Sequence, residues 1–219
     1  MDAQLKVDIQ NTLRSISANA PILSSSLRVD KLYEVFIFTC AVRALLQIGA
    51  FLEVRDSNDT ATATLVFRLG PGLIYSPSTT PGFIYVNYQG EEYELQNSLR
   101  ICGRSKVRHE LDVCLLLRRE AERCRYAGID PSQPNVRFLA ECKYYGDVLP
   151  LHLGREFVGL CAEFTMRTKV MVSNRGSDDI HRLVTKHKGT ENFNITPLDP
   201  LRVDMFVNWL ANEFRQVLS

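Results

Sequence analysis

The feature that most narrows the possible folds is an alternation in the second half of the chain. Leu111 to Leu117 is an apolar run in HELDVCLLL, headed by acidic residues. Its length suits a strand covered on both faces. The charged stretch RREAERCRYAG reads as a helix, and a turn follows at Asp130-Pro131. Val136 to Tyr145 is the next strand, Leu151 to Met166 the next helix, and Lys169 to Ser173 a buried strand of the parallel type. A helix over Ser177 to His187 comes next. A closing helix begins at Asp199, with Val203, Phe206, Leu210 and Phe214 on one face. This order predicts an α/β fold with a mixed central β-sheet flanked by helices.

The first half is less regular. Leu5, Ile9, Leu13 and Ile16 share the spacing of an amphipathic helix. Asp30 is placed to cap a long apolar helix from Lys31 to Ile48, which Gly49 ends. Strand-type runs follow at Phe51–Val54, Thr62–Leu69, Phe83–Tyr88 and Glu92–Leu95, separated most heavily by GPGLIYSPSTTPG. There is no repeat, low-complexity tract or linker. Residues 1–219 are therefore expected to form one domain: a helical appendage over 1–28, a core over 31–196 and the closing helix over 199–219.

The 219 residues are 45% hydrophobic and 23% charged, the balance of a soluble globular protein. The richest apolar run, Val35 to Ala50, is broken by Arg43 and Gln47, so no membrane span is expected. MDAQLKVDIQ lacks the layout of a signal peptide, and a cytoplasmic location follows as the expectation. The six cysteines (Cys40, Cys102, Cys114, Cys124, Cys142, Cys161) form no CxxC pair. They read as small buried hydrophobes rather than as a disulfide framework or a zinc site. Net charge is +1, which by itself predicts no nucleic-acid partner. The basic residues Arg100, Arg104, Lys106, Arg108, Arg118, Arg119, Arg123 and Arg125 read first as a solvated face and second as a phosphate track. Neither a glycine-rich phosphate loop nor GxGxxG nor GxSxG is present, which removes nucleotide kinases, dehydrogenases and serine hydrolases.

Two acids interrupt strands that ought to be buried: Asp112 in HELDVCLL and Glu141 in RFLAECKYY. Alternate residues of a strand share a face, so Glu141 and Lys143 point one way and Cys142 the other. Burying a carboxylate and an ammonium costs several kcal/mol unless they are paired or bind a metal. An ordinary cross-strand ion pair is one explanation. The other is chemical. Two converging carboxylates hold a hard divalent cation such as magnesium, the ion activates water and neutralises a phosphodiester, and a lysine beside them stabilises the phosphate.

The set Glu34 in DKLYEVFIFTCAVRALLQIG, Asp112 in HELDV and Glu141-Cys142-Lys143 resembles the PD-(D/E)xK, or restriction-endonuclease-like, nuclease superfamily. There a helix often carries a glutamate, the second core strand an aspartate and the third Glu-x-Lys, before a further helix and strand. The resemblance covers roughly Lys31 to Thr196. It implies a restriction-endonuclease-like core and a metal-dependent DNA endonuclease of the kind used in restriction, phage defence or repair. Asp112, Glu141 and Lys143 would be catalytic with Glu34 in support, and Mg2+, replaceable by Mn2+, would sit at Asp112 and Glu141.

Some roles stay open at this level. Glu34 is either a metal-site residue or a first-turn glutamate favoured by the helix dipole. Glu110, two before Asp112, is either a further metal ligand or a rim residue. His109 is a proton donor, a phosphate contact or simply structural. Members of the superfamily with a glutamine or second lysine on the helix after Glu-x-Lys contrast with Arg155 and Glu156 here. No separate sequence-reading domain is evident, so a homodimer or partner subunit is expected to supply specificity. The alternative class is a non-catalytic nucleic-acid-binding or scaffold subunit on the same fold. An RNase is a third reading.

Overall fold

An apolar helix with no polar face has to be buried all round, and α1 (Val29–Gln47) is so along its middle, from Leu32 to Val42. The computed structural model describes residues 28–75 and 81–218, together with Lys6, Val7, Ile9, Asn11 and Thr12. Arg28 is the N-cap of α1 without a side-chain cap bond. Asp30 is therefore not the cap. It sits inside the first turn, 2.7 Å from the Arg28 guanidinium, where the helix dipole favours a carboxylate. Gly49, at φ +83°, ends the helix as expected.

Among the described residues seven strands follow in one sheet, and their order in space is their order in sequence. They are β1 (Phe51–Arg55), β2 (Phe83–Tyr88), β3 (Glu91–Cys102), β4 (Arg108–Leu117), β5 (Val136–Lys143), β6 (Thr168–Ser173) and β7 (Thr190–Asn192). The first five form an antiparallel meander. Helix α3 (Leu151–Glu163) carries the chain back so that β6 lies parallel to β5, and α4 (Asp178–Lys186) does the same for β7. Two further helices are α2 (Arg118–Ala127), after β4, and α5 (Pro200–Val217). Asp199 caps α5 by accepting from Arg202 N. The sheet is thus mixed and flanked by helices.

Two cores sandwich it. One lies between the sheet and α1 with α5, where Phe36, Phe138, Phe206 and Phe214 meet. The other lies under α2, α3 and α4, around Leu116, Leu139, Phe157 and Ile180. Of the expected N-terminal helix, Lys6, Val7, Ile9, Asn11 and Thr12 are helical, and Ile9 is buried in the first core. Leu5, Leu13 and Ile16 lie outside the described residues.

The expected strand over Thr62–Leu69 does not form. The reason lies in β3, which is far longer than the predicted Glu92–Leu95 and pairs with β2 only as far as Leu95. Beyond that point its edge is covered by an irregular segment. Asn97 supplies in its side chain what a strand would supply in its backbone: Oδ1 accepts from Arg68 N (3.1 Å) and Nδ2 donates to Arg68 O (2.9 Å).

Candidate active site

The site forms where two ladders fail. β3 and β4 pair from Tyr93–Leu117 to Cys102–Arg108 with one gap, at Ser98 and Asp112. Ser98 is in the left-handed region at φ +43°, and its carbonyl accepts from Gly72 N (2.9 Å) instead. The pleat changes hands at this gap. Tyr93, Leu95, Val113 and Leu115 point into the α1–α5 core, whereas Leu99, Ile101 and Leu111 point into the core under α3. The β4–β5 ladder also stops there, at Val113–Ala140. The next N–H along, that of Cys142, donates to Asp112 Oδ2 at 2.7 Å. Asp112 thus sits in the middle of its strand, not at its start, and it joins two strands that have begun to part.

The parting opens a cavity of ≈ 650 Å³ lined by Lys31, Glu34, Glu110, Asp112, Glu141 and Lys143, among others. All of the residues expected from the sequence to be catalytic or metal-binding are therefore brought together. Glu141 and Lys143 share a face, with Lys143 Nζ 2.6 Å from Glu141 Oε1, and Cys142 between them is buried in the α1–α5 core. Glu34, on α1, accepts from Ser98 Oγ (3.2 Å). Asn174, after β6, bonds both backbone groups of Tyr145, which lines the pocket, at 2.8 Å.

The electrostatics of the pocket are tense. Burial, reinforced by the charges of Glu141 and Glu34, pushes the Asp112 carboxyl well above its ordinary value, against the Cys142 N–H and Lys143. Burial also raises Glu34, which Lys31 partly offsets. Both lysines are raised as well: burial works against their charge, but Glu34 at Lys31 and Glu141 at Lys143 overcome it and hold each ammonium above its usual range. Glu156, from α3, adds to the field at Lys143. The helix after Glu-x-Lys thus contributes an acid here.

Lys31 was missed at the sequence level. Its signal was its place three residues before Glu34 on a helix, which makes the two neighbours on one surface. Its ammonium lies 2.9 Å from both Glu34 oxygens. Other residues fall elsewhere. His109 packs edge-on against Phe164, with Nε2 3.8 Å from Glu163, and does not line the pocket. The basic run is largely spent on ion pairs: Arg100 and Arg108 with Asp130, Arg118 with Asp59 and Glu122, Arg123 with Glu120, and Arg125 with the buried Glu94. Ser177 caps α4, and Trp209 stacks on Phe206 against the core.

Among the described residues, no three His, Cys, Asp or Glu side chains are gathered as a metal-holding group. Magnesium does not require three. It keeps several waters and takes one or two carboxylates. Asp112 and Glu141 would be the residues to meet that demand: both line the same pocket, and burial opposes the charge on Asp112. Among the described residues, no helix is long and apolar enough to cross a membrane. The chain matches no protein-family model and no curated protein.

Proposed function

We propose that this chain is a magnesium-dependent nuclease on a restriction-endonuclease-like core, hydrolysing phosphodiester bonds in DNA. The observation that carries the reading is the convergence of Asp112, Glu141 and Lys143 in one pocket at the point where β4 and β5 part. The order of elements supports it: α1 with Glu34, then β3, then β4 with Asp112, β5 with Glu141 and Lys143, then α3 and β6 parallel to β5. DNA as the polymer rests on the resemblance to the superfamily.

Asp112 and Glu141 would hold the ion, which supplies Lewis acidity towards a phosphodiester. The protein's own contribution is positional. The Cys142 N–H fixes one Asp112 oxygen and so orients the other. Lys143, tethered to Glu141, stays protonated and presents a fixed positive charge to the phosphate as negative charge builds on it. Glu34 adds negative charge behind Asp112 and favours cation binding over an empty pocket.

A non-catalytic scaffold on the same fold has one observation on its side: Lys31 and Lys143 already pair with Glu34, Glu110 and Glu141. The two readings separate in one assay. The purified chain is given plasmid and single-stranded DNA and RNA with magnesium, with manganese and with EDTA, beside Asp112→Ala and Lys143→Ala. Cutting that needs metal and is lost in both variants is the expected result. Salt-sensitive binding without cutting, unchanged by metal, would assign the scaffold role.

A further inference from the structure

The pocket contains two ammonium groups, and a reading built on Lys143 uses only one. Lys31 Nζ lies 2.9 Å from each Glu34 oxygen and 3.5 Å from Glu110 Oε1. The Lys31 side chain is 20% exposed, that of Glu34 10% and that of Glu110 26%. An ammonium with three donors is thus packed between two carboxylates, largely out of water. Without it, the pocket would present four carboxylates as two pairs: Asp112 with Glu141, and Glu34 with Glu110. Lys31 bonds both carboxylates of its pair, whereas Lys143 is bonded to Glu141 alone, which leaves Asp112 to take an ion.

We propose that Lys31 is a built-in cation serving the Glu34–Glu110 pair, and that it restricts this protein to a single divalent ion, held by Asp112 and Glu141. The inference rests on the nuclease reading of the same pocket. Lys31 is a positioning residue here: it acts through the two glutamates and supplies the charge that a second ion would otherwise bring. The placement follows from the chain. Lys31 and Glu34 stand three apart on α1, and Glu110 arrives from β4 just before the pleat changes hands at Asp112. Lys31 is tethered three residues from Glu34 on the same helix, so its ammonium competes for the pair at an effective concentration that the metal concentration does not change.

The test counts bound manganese per chain on the full-length protein, by calorimetry and by the electron-paramagnetic-resonance signal of the free ion. Circular dichroism confirms that each variant is folded. The wild type should bind one ion, Lys31→Ala two, and Lys31→Arg one, since a guanidinium also serves the glutamates. The double variant Lys31→Ala/Glu110→Gln should return to one, which places the second ion on the glutamate pair. Lys31→Met, which keeps the aliphatic stem, repeats the measurement if the alanine variant is unfolded. Two ions bound by the wild type, or one by a folded Lys31→Ala, would overturn the proposal and leave the nuclease reading standing. No ion bound by the wild type or by Lys31→Ala would sink the nuclease reading, and this inference with it.

Discussion

Asp112→Asn should make the metal-free protein more stable while abolishing its metal-dependent cleavage. The carboxylate is 8% exposed, and an ion so placed carries an effective penalty of several kcal/mol. Part of that is recovered through the charge-assisted bond from Cys142 N, which contributes roughly 1.5–3 kcal/mol. Part returns through Lys143. The remainder is about 1–2 kcal/mol, in the range gained when a functional charge is neutralised. Asparagine keeps an oxygen for the Cys142 N–H, so little is lost in exchange. For a chain of 219 residues, each kcal/mol moves Tm by about 2–4 °C, giving a rise of about 2–8 °C at neutral pH in EDTA. The pH dependence has a definite sign. The folded pKa of Asp112 is raised above its ordinary 3.8. The wild type therefore holds its full stability contribution from this group below about pH 4 and loses it as pH rises through the folded value. The gap between variant and wild type should accordingly open with rising pH and close near pH 4. Differential scanning fluorimetry across pH 4–8 reads both. A variant less stable than the wild type at neutral pH in EDTA, or an offset that ignores pH, would refute the reasoning.

Three further outcomes are expected. Lys143→Ala should slow metal-dependent cleavage by about 10²–10³, the usual loss for a positioned charge donor, with manganese binding retained in calorimetry; abolished binding would make Lys143 structural instead. Arg125→Ala strands the Glu94 carboxylate, which is fully buried and bonded to Arg125 Nη1 at 2.9 Å, and should cost about 3–5 kcal/mol in urea unfolding. Asp199→Ala removes the cap on α5, where Oδ1 accepts from Arg202 N at 3.1 Å, and should lower stability by about 1 kcal/mol with cleavage unchanged.

The α/β frame was legible because periodicity reports burial, and burial is what the strands and helices of the second half share. β5, α3, β6 and α4 fall within a few residues of where Val136–Tyr145, Leu151–Met166, Lys169–Ser173 and Ser177–His187 put them. Glu141 and Lys143 were legible for the same reason, as alternate residues of a covered strand. What escaped depends on contacts far apart in sequence. The Thr62–Leu69 stretch looks like a strand, yet the edge it meets is β3 beyond Leu95, and Asn97 takes up its backbone. A left-handed Ser98 is invisible to periodicity, so the exchange of faces at Asp112 was too. The arginines of the middle stretch look like a basic patch until Asp59, Glu94 and Asp130 arrive from elsewhere to pair with them.

That exchange of faces explains why the acids collect where they do. A regular antiparallel pair would turn Asp112 squarely into one apolar core. At the Ser98–Asp112 gap, neither core claims the position, and the ladder to β5 has just ended at Val113–Ala140. The carboxylate is left at the seam between the two cores, with an unclaimed N–H from Cys142 beside it. Glu141 and Lys143 reach the same seam because Ala140 and Cys142, their alternate neighbours, stay in the α1–α5 core and hold β5 in register with β6 through Lys143–Ser173. α1 brings Lys31 and Glu34 from its first two turns, the part of that helix that lines the pocket. Charge therefore gathers at a place in the sheet where its burial does not break a core, and each carboxylate is fixed by a neighbouring backbone or lysine before any ligand is bound.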